Sequence, residues 1–319
     1  FHLMNIRLCI RIVGLLLMLF SLGTLPSMVL GWVQKDGTAE VFGQTFAATA
    51  ISGVVLSLLT QRVNTELQIR DGFLVTAAFW IVLSLYGSLP FLLSDAIEVS
   101  VFDAIFESVS GLTTTGATVL AGLDTLPESI LFYRQLLQWL GGIGIIVLAV
   151  AVLPMLGIGG VQLYRAESTG PAKDSKLTPR ITSTAKALFS IYLGLTIACA
   201  AAYYLAGMSA FDAISHAFST IAIGGFSTHD ASMGYFQSDF ILLIACLFML
   251  ISAVNFGLHF VAFSKRNPSI YRFDSETKFF SGVLLISAIV TCITLVAMGT
   301  LSADKAIICL LYTSDAADD

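Results

Sequence analysis

Charge is what this sequence has least of. Asp, Glu, Lys and Arg make up 12% of its 319 residues, about half of what an ordinary globular domain carries. Apolar residues reach 56%, more than a soluble core of this size could hide, so a soluble enzyme is excluded and a polytopic membrane protein is indicated. Cysteine occurs as Cys9, Cys199, Cys246, Cys292 and Cys309, each in or beside an apolar run. No paired spacing or metal-ligand pattern joins them, and they read as buried free thiols. Neither His216 nor His259 has a Gly-x-Ser-x-Gly or similar nucleophile setting nearby. That weakens the alternative of an intramembrane serine hydrolase or another polytopic membrane enzyme. Gly141–Gly144 and Gly157–Gly160 suggest nucleotide loops only superficially. No strand precedes them, and within apolar helices they permit close packing.

What is there is a series of apolar runs. Those long enough to span a bilayer lie at about 8–33, 41–60, 72–93, 130–158, 187–206, 239–263 and 279–299. The first continues to about Trp32, too long for the core of a cleavable signal peptide. Two runs, 101–112 and 210–221, are too short to cross. With Arg7 and Arg11 in the cytoplasm, the connections holding Arg62 and Arg70, Arg165 to Lys186, and Lys265 to Lys278 also fall inside. Only Lys35, Arg134 and Lys305 of the 16 basic residues are then outside. This holds only if both short runs enter and leave by the outer face, as re-entrant segments.

The two short runs are copies. Phe102-Asp103-Ala104-Ile105 leads to Gly116, and Phe211-Asp212-Ala213-Ile214 leads at the same distance to Gly225. Each opens with a Ser-x-x-Asp capping signature, Ser100 to Asp103 and Ser209 to Asp212. Spanning helix, re-entrant helix, Gly-containing loop and spanning helix occur twice, and a third copy begins near 279. The expected fold class is therefore an all-α polytopic membrane protein of repeated helix–re-entrant helix–helix units. Its expected divisions are an N-terminal two-helix hairpin (1–68), a first repeat (69–160), a cytoplasmic loop (161–186), a second repeat (187–265), the start of a third (266–309) and an unrelated tail (310–319).

A short helix ending inside the membrane aims its carbonyl end, roughly half a negative charge, at whatever lies beyond it. Backbone at that depth is tolerated where it lines an ion or water path. The carbonyls of Thr113, Thr114, Thr115 and Gly116, and of Ala222, Ile223, Gly224 and Gly225, can replace the water around a cation. No titratable group belongs to this ladder, so passage of an ion is expected rather than a reaction.

Several motifs occur together in one order. They are Phe106-Glu107-Ser108 through Thr118, Tyr133-Arg134-Gln135 through Gln138-Trp139-Leu140-Gly141-Gly142-Ile143-Gly144, and Ala166-Glu167 with Gly170-Pro171. Thr178-Pro179-Arg180 with Thr184-Ala185-Lys186 and Ala222–His229 complete the set. From about Met4 to Lys305 the chain resembles the Trk/Ktr/HKT potassium-transporter superfamily, and more narrowly the membrane subunit of bacterial Trk systems. The resemblance implies four pore repeats around one potassium path, the eight residues above serving as potassium-binding filter. It also implies a homodimer in the bacterial inner membrane, a cytoplasmic nucleotide-binding regulatory subunit, and no cofactor beyond potassium as substrate. Channel-like flux and proton-coupled symport both remain open. Two filters rather than four, and a tail from Leu311 to Asp319 unlike the family, read as a truncated or misread fragment that would not transport by itself.

Arg134, near the outer end of its run, reads first as an interfacial anchor. The alternative is a contact bracing the filter, with Glu107 as its partner. Glu107 aligns with His216 of the second copy, and either could cap or hold water behind the filter. Asn255 and His259, four apart, read as one helix face making interhelical hydrogen bonds, with an inner cavity lining as the alternative. The basic segment 165–186 reads as a loop and, through the resemblance, as a docking surface for the regulatory subunit.

Overall fold

A computed structural model describes residues 6–60, 69–151 and 177–297. Every element within them is helical. Among the described residues four stretches, Ile6–Gln34, Ala39–Leu59, Leu74–Leu93 and Ala185–Leu205, are long and apolar enough to cross a membrane. Gly157–Gly160, the start of the expected cytoplasmic loop with Arg165, and the end of the third repeat past residue 297 lie outside the described residues.

Two compact units divide the chain. The first comprises the described residues of Phe1–Leu148 together with Phe226–Ser232. It contains α1 (Ile6–Ser21), a 3-10 turn at Leu22–Thr24, α2 (Leu25–Gln34), α3 (Ala39–Leu59), α4 (Ile69–Gly87), α5 (Leu89–Leu93), α6 (Val101–Leu112) and most of α7 (Glu128–Ala151). α1 and α3 meet at glycines. A Cβ on Gly53 would lie 2.6 Å from the Gly14 carbonyl oxygen, and one on Gly14 would lie 2.8 Å from that of Gly53. Small residues at such a seam let two backbones touch, which is how helices associate where burial from water cannot drive them. Leu17, Phe42, Phe91, Tyr133 and Leu137 fill the core. Phe42 and Phe91 pack on the Tyr133 ring with centroids 5.3 and 5.6 Å away, while the Tyr133 hydroxyl donates to the Gly87 carbonyl at 3.0 Å. That carbonyl needs a partner because the expected 72–93 run is divided after Gly87, with Pro90 in the first turn of α5.

The second unit comprises the described residues of Ala149–Gly225 and Met233–Asp319. It contains α8 (Leu177–Leu205), α9 (Ala210–Ala222), α10 (Asp239–Ala253), α11 (Phe256–Lys265), α12 (Ile270–Phe273) and α13 (Ser275–Ala297). The expected span 239–263 is not one helix: α10 and α11 meet at 87°. Val254 is extended at ψ 140° and Asn255 caps α11, its Oδ1 accepting from Gly257 N at 2.9 Å. The Ile251 carbonyl, loosened by the break, receives His259 Nε2 at 2.9 Å. Asn255 is thus a cap rather than a companion of His259 on one face. Hydrogen bonds between elements nevertheless occur, from the Tyr271 hydroxyl to His259 Nδ1 (2.8 Å) and from Asn255 Nδ2 to Glu276 (3.4 Å).

Candidate functional site

The short helices were expected at 101–112 and 210–221, and they stand at 101–112 and 210–222. At the start of α6, Asp103 N donates to Ser100 Oγ (3.2 Å) and Ser100 N to Asp103 Oδ2 (3.1 Å), a reciprocal capping box. At the start of α9, Asp212 N likewise donates to Ser209 Oγ at 3.0 Å.

The helices also end alike. Thr114 N reaches back to the Gly111 carbonyl (3.0 Å) and Thr115 N to that of Ser110 (2.9 Å). In the second copy Ile223 N reaches Thr220 O (3.2 Å) and Gly224 N reaches Ser219 O (2.9 Å). This closure turns on one left-handed residue, a place usually held by glycine. Here it is Thr114 at φ 57° and Ile223 at φ 53°. Branched residues are unusual in that region and cost about 1–2 kcal/mol there. Two residues later Gly116 (φ 87°) and Gly225 (φ 83°) are left-handed again. The closure uses the carbonyls of Ser110 and Gly111, whereas those of Thr113–Gly116 receive no hydrogen bond from the described residues. The Thr113 hydroxyl instead donates to Val109 O at 2.7 Å, with the Thr115 hydroxyl 2.8 Å away.

Behind the first loop lies a buried ion pair. Arg134 Nε donates to Glu107 Oε1 at 2.7 Å, with both side chains essentially unexposed. An interfacial anchor would reach water, whereas Arg134 is buried against Glu107, the partner that the alternative reading named. Glu107 also accepts from the Thr118 hydroxyl (3.0 Å) and Val119 N (3.1 Å). Arg134 donates through Nη2 to Thr118 Oγ1 (2.9 Å) and through Nη1 to the Ser227 carbonyl (3.0 Å), its guanidinium lying 4.4 Å from the Phe226 ring centroid. A buried pair is tolerable only when its remaining donors and acceptors are met in this way. One turn along α7, buried Gln138 accepts from Phe226 N at 3.2 Å. In the sequence Gln138 stood out only as part of a motif, and its spacing of four from Arg134 on an apolar helix was the available signal of this role.

Further out, His229 Nδ1 lies 2.5 Å from Asp124 Oδ1, and Asp230 Oδ1 accepts from Leu123 N at 3.1 Å. The His229 hydrogen bond holds the Asp124 carboxyl below its ordinary value. In the second unit, buried His216 donates from Nδ1 to the Asp212 carbonyl (2.9 Å) and meets Phe236 edge-on. The Tyr203 and Thr220 hydroxyls are 2.7 Å apart, tying α8 to α9.

The family model described as TrkH, cation transport protein, matches residues 38–316. The chain belongs to the TrkH family. A Trk system potassium uptake protein TrkH from Vibrio parahaemolyticus is 60% identical over 279 residues, covering 87% of this chain and 58% of its own length. The protein of the same name from Escherichia coli K12 is 55% identical over 282 residues, covering 88% and 58%. In structure, the chain matches the crystal structure of the potassium transporter TrkH from Vibrio parahaemolyticus. The TM-score is 0.87 at 51% identity, covering 97% of this chain and 63% of that one. The chain thus spans about three fifths of its TrkH relatives. Membership also disposes of the hydrolase alternative, since this is a transport family.

Proposed function

We propose that this chain forms ion-conducting repeats of a Trk-type potassium uptake system in the bacterial inner membrane. In this reading α6 and α9 are re-entrant pore helices. Thr113–Gly116 and Ala222–Gly225 are filter loops whose backbone carbonyls replace the hydration shell of potassium. Glu107 and Arg134 brace the first loop from behind. The N-terminus and the connections at 60–71, 160–186 and 264–278 face the cytoplasm, while 119–129 and 228–238 face outward. The complete assembly is a homodimer with a cytoplasmic nucleotide-binding regulatory subunit. Two relatives more than half identical to this chain carry the name of potassium uptake proteins.

The observation that carries the reading is the matched backbone of the two loops. Both leave a capped short helix through a left-handed branched residue and bend again at a left-handed glycine. Strain held in two copies at the same place suits a site built from carbonyl positions rather than side chains. The loops differ in side chain, with Ala222 and Ile223 where the first has Thr113 and Thr114, which costs carbonyl binding little.

The test uses a chimera in which this sequence replaces the matching part of the Vibrio parahaemolyticus protein. Gly116→Ser puts a Cβ on left-handed backbone at about 1–2 kcal/mol, which membrane insertion should survive. Thr114→Val keeps the branched shape and removes only the hydroxyl. Gly116→Ser is expected to lose discrimination of rubidium over sodium, and Thr114→Val to keep most of it, at equal protein levels. Unchanged selectivity in Gly116→Ser would rule out a carbonyl filter at this loop.

A further inference from the structure

Two polar side chains one turn apart on α7 hold the backbone that follows the second loop. Gln138 Oε1 accepts from Phe226 N at 3.2 Å and Arg134 Nη1 donates to Ser227 O at 3.0 Å. The Phe226 ring stacks on one of the two. It lies under the Arg134 guanidinium, and its Cε2 would be 3.1 Å from a Cβ on Gly111.

The Phe226 N–H and the Gly225 carbonyl belong to a single peptide unit. No cis peptide occurs among the described residues, and in a planar trans unit the N–H and C=O point in opposite directions. Whatever fixes the N–H therefore fixes the carbonyl. Gly225, at φ 83°, has no side chain of its own to settle the rotation of that plane, and glycine offers the widest choice of alternatives. The acceptor on Gln138 removes that choice.

We infer that Gln138 is a positioning residue for selectivity: by holding the Phe226 amide it aims the Gly225 carbonyl of the second filter loop away from α7. The control is exerted on the second copy by a helix that follows the first. Among the described residues no side chain holds the Ala117 amide of the first loop in this way, and Glu107 holds the backbone at Val119 N, further along the chain from Gly116. The inference rests on the proposed filter and deepens it.

The experiment is rubidium and sodium uptake by the same chimera in proteoliposomes, at matched protein content. Gln138→Leu removes the acceptor at nearly equal volume, whereas Gln138→Glu keeps an acceptor oxygen in place. Gln138→Leu is expected to lower the rubidium-to-sodium ratio about tenfold or more, with Gln138→Glu closer to the parent. A fall in rate with an unchanged ratio would mark Gln138 as merely structural and overturn the inference. Should Gln138→Leu fail to reach the membrane, Gln138→Met, unbranched and of similar length, is read by the same ratio. An unmodified chimera that takes up sodium as readily as rubidium overturns the filter reading itself, which separates the two failures.

Discussion

Gly141 of α7 lies against the carbonyl of Leu112, the last residue of α6. A Cβ built on Gly141 would sit 1.9 Å from that oxygen. Backbone cannot give way as a flexible side chain does, so Gly141 is a fixed contact for the end of α6.

Gly141→Ala should therefore displace α6 rather than be absorbed. Overpacking in a filled interior costs about 1–3 kcal/mol, occasionally more. The expected result is a marked drop in thermal stability of the purified chimera and a loss of ion discrimination. Gly194→Ala is the control, because nothing lies within 4 Å of the added carbon there. It should leave stability equal or slightly raised, alanine being the better helix former by about 1 kcal/mol. Equal melting curves for the two variants would show that Gly141 is not a contact point.

Glu107 and Arg134 should behave as a unit. Glu107→Gln or Arg134→Met leaves one buried charge uncompensated, and breaking such a pair costs about 3–5 kcal/mol. Removing both charges together should cost less than the sum of the single changes. A double-mutant cycle on denaturation of the detergent-solubilised protein measures this. Additive losses would mean that the two groups do not depend on each other.

Acid should loosen the connections that Asp36 and Asp124 hold. Asp124 is held below its ordinary value by the His229 hydrogen bond. At Asp36 partial burial pushes upward, but hydrogen bonds from Ser129 and Thr38 outweigh it and the net shift is downward. A carboxyl depressed in the folded state contributes stability above its unfolded value, about 3.9 for Asp. That contribution is lost as pH falls through the lower folded value. Stability should therefore be level on this account near neutrality and decline below about pH 4. Asp36→Asn and Asp124→Asn should each shallow that decline when unfolding is followed against pH. An acid limb identical in the parent and both variants would exclude these groups as its source.

The parts of the fold legible in the sequence are those set locally. The Ser-x-x-Asp caps fix where α6 and α9 begin, and the short apolar runs fix their length, so both were placed to within a residue. The break at Val254 was read as a continuous span because 239–263 has no proline, although Ser252, Asn255, Gly257 and His259 interrupt its apolar run there. Only part of what holds it is local: Asn255 caps α11, while His259 reaches back to Ile251 O and accepts from Tyr271. Arg134 was ambiguous for a related reason. A single basic residue near the end of an apolar helix looks the same whether it meets water or a carboxylate, and only the packing of α6 on α7 decides. The left-handed Thr114 and Ile223 ran against expectation altogether, since branched residues are the last that steric preference would put there.

Phe226–Ser232 completes the first unit although it lies beyond Gly225 in the chain. During synthesis the Ser227 carbonyl that receives Arg134, and the Phe226 amide that meets Gln138, leave the ribosome only after the whole of Ala149–Gly225. At about 5–20 residues per second that interval is on the order of 4–15 s. α7 must therefore enter the bilayer with Arg134 satisfied by Glu107 and Thr118 alone, and its last acceptor arrives with the second loop. Biogenesis of the first unit is thus stitched backward, its last contacts supplied by a segment made after the second short helix.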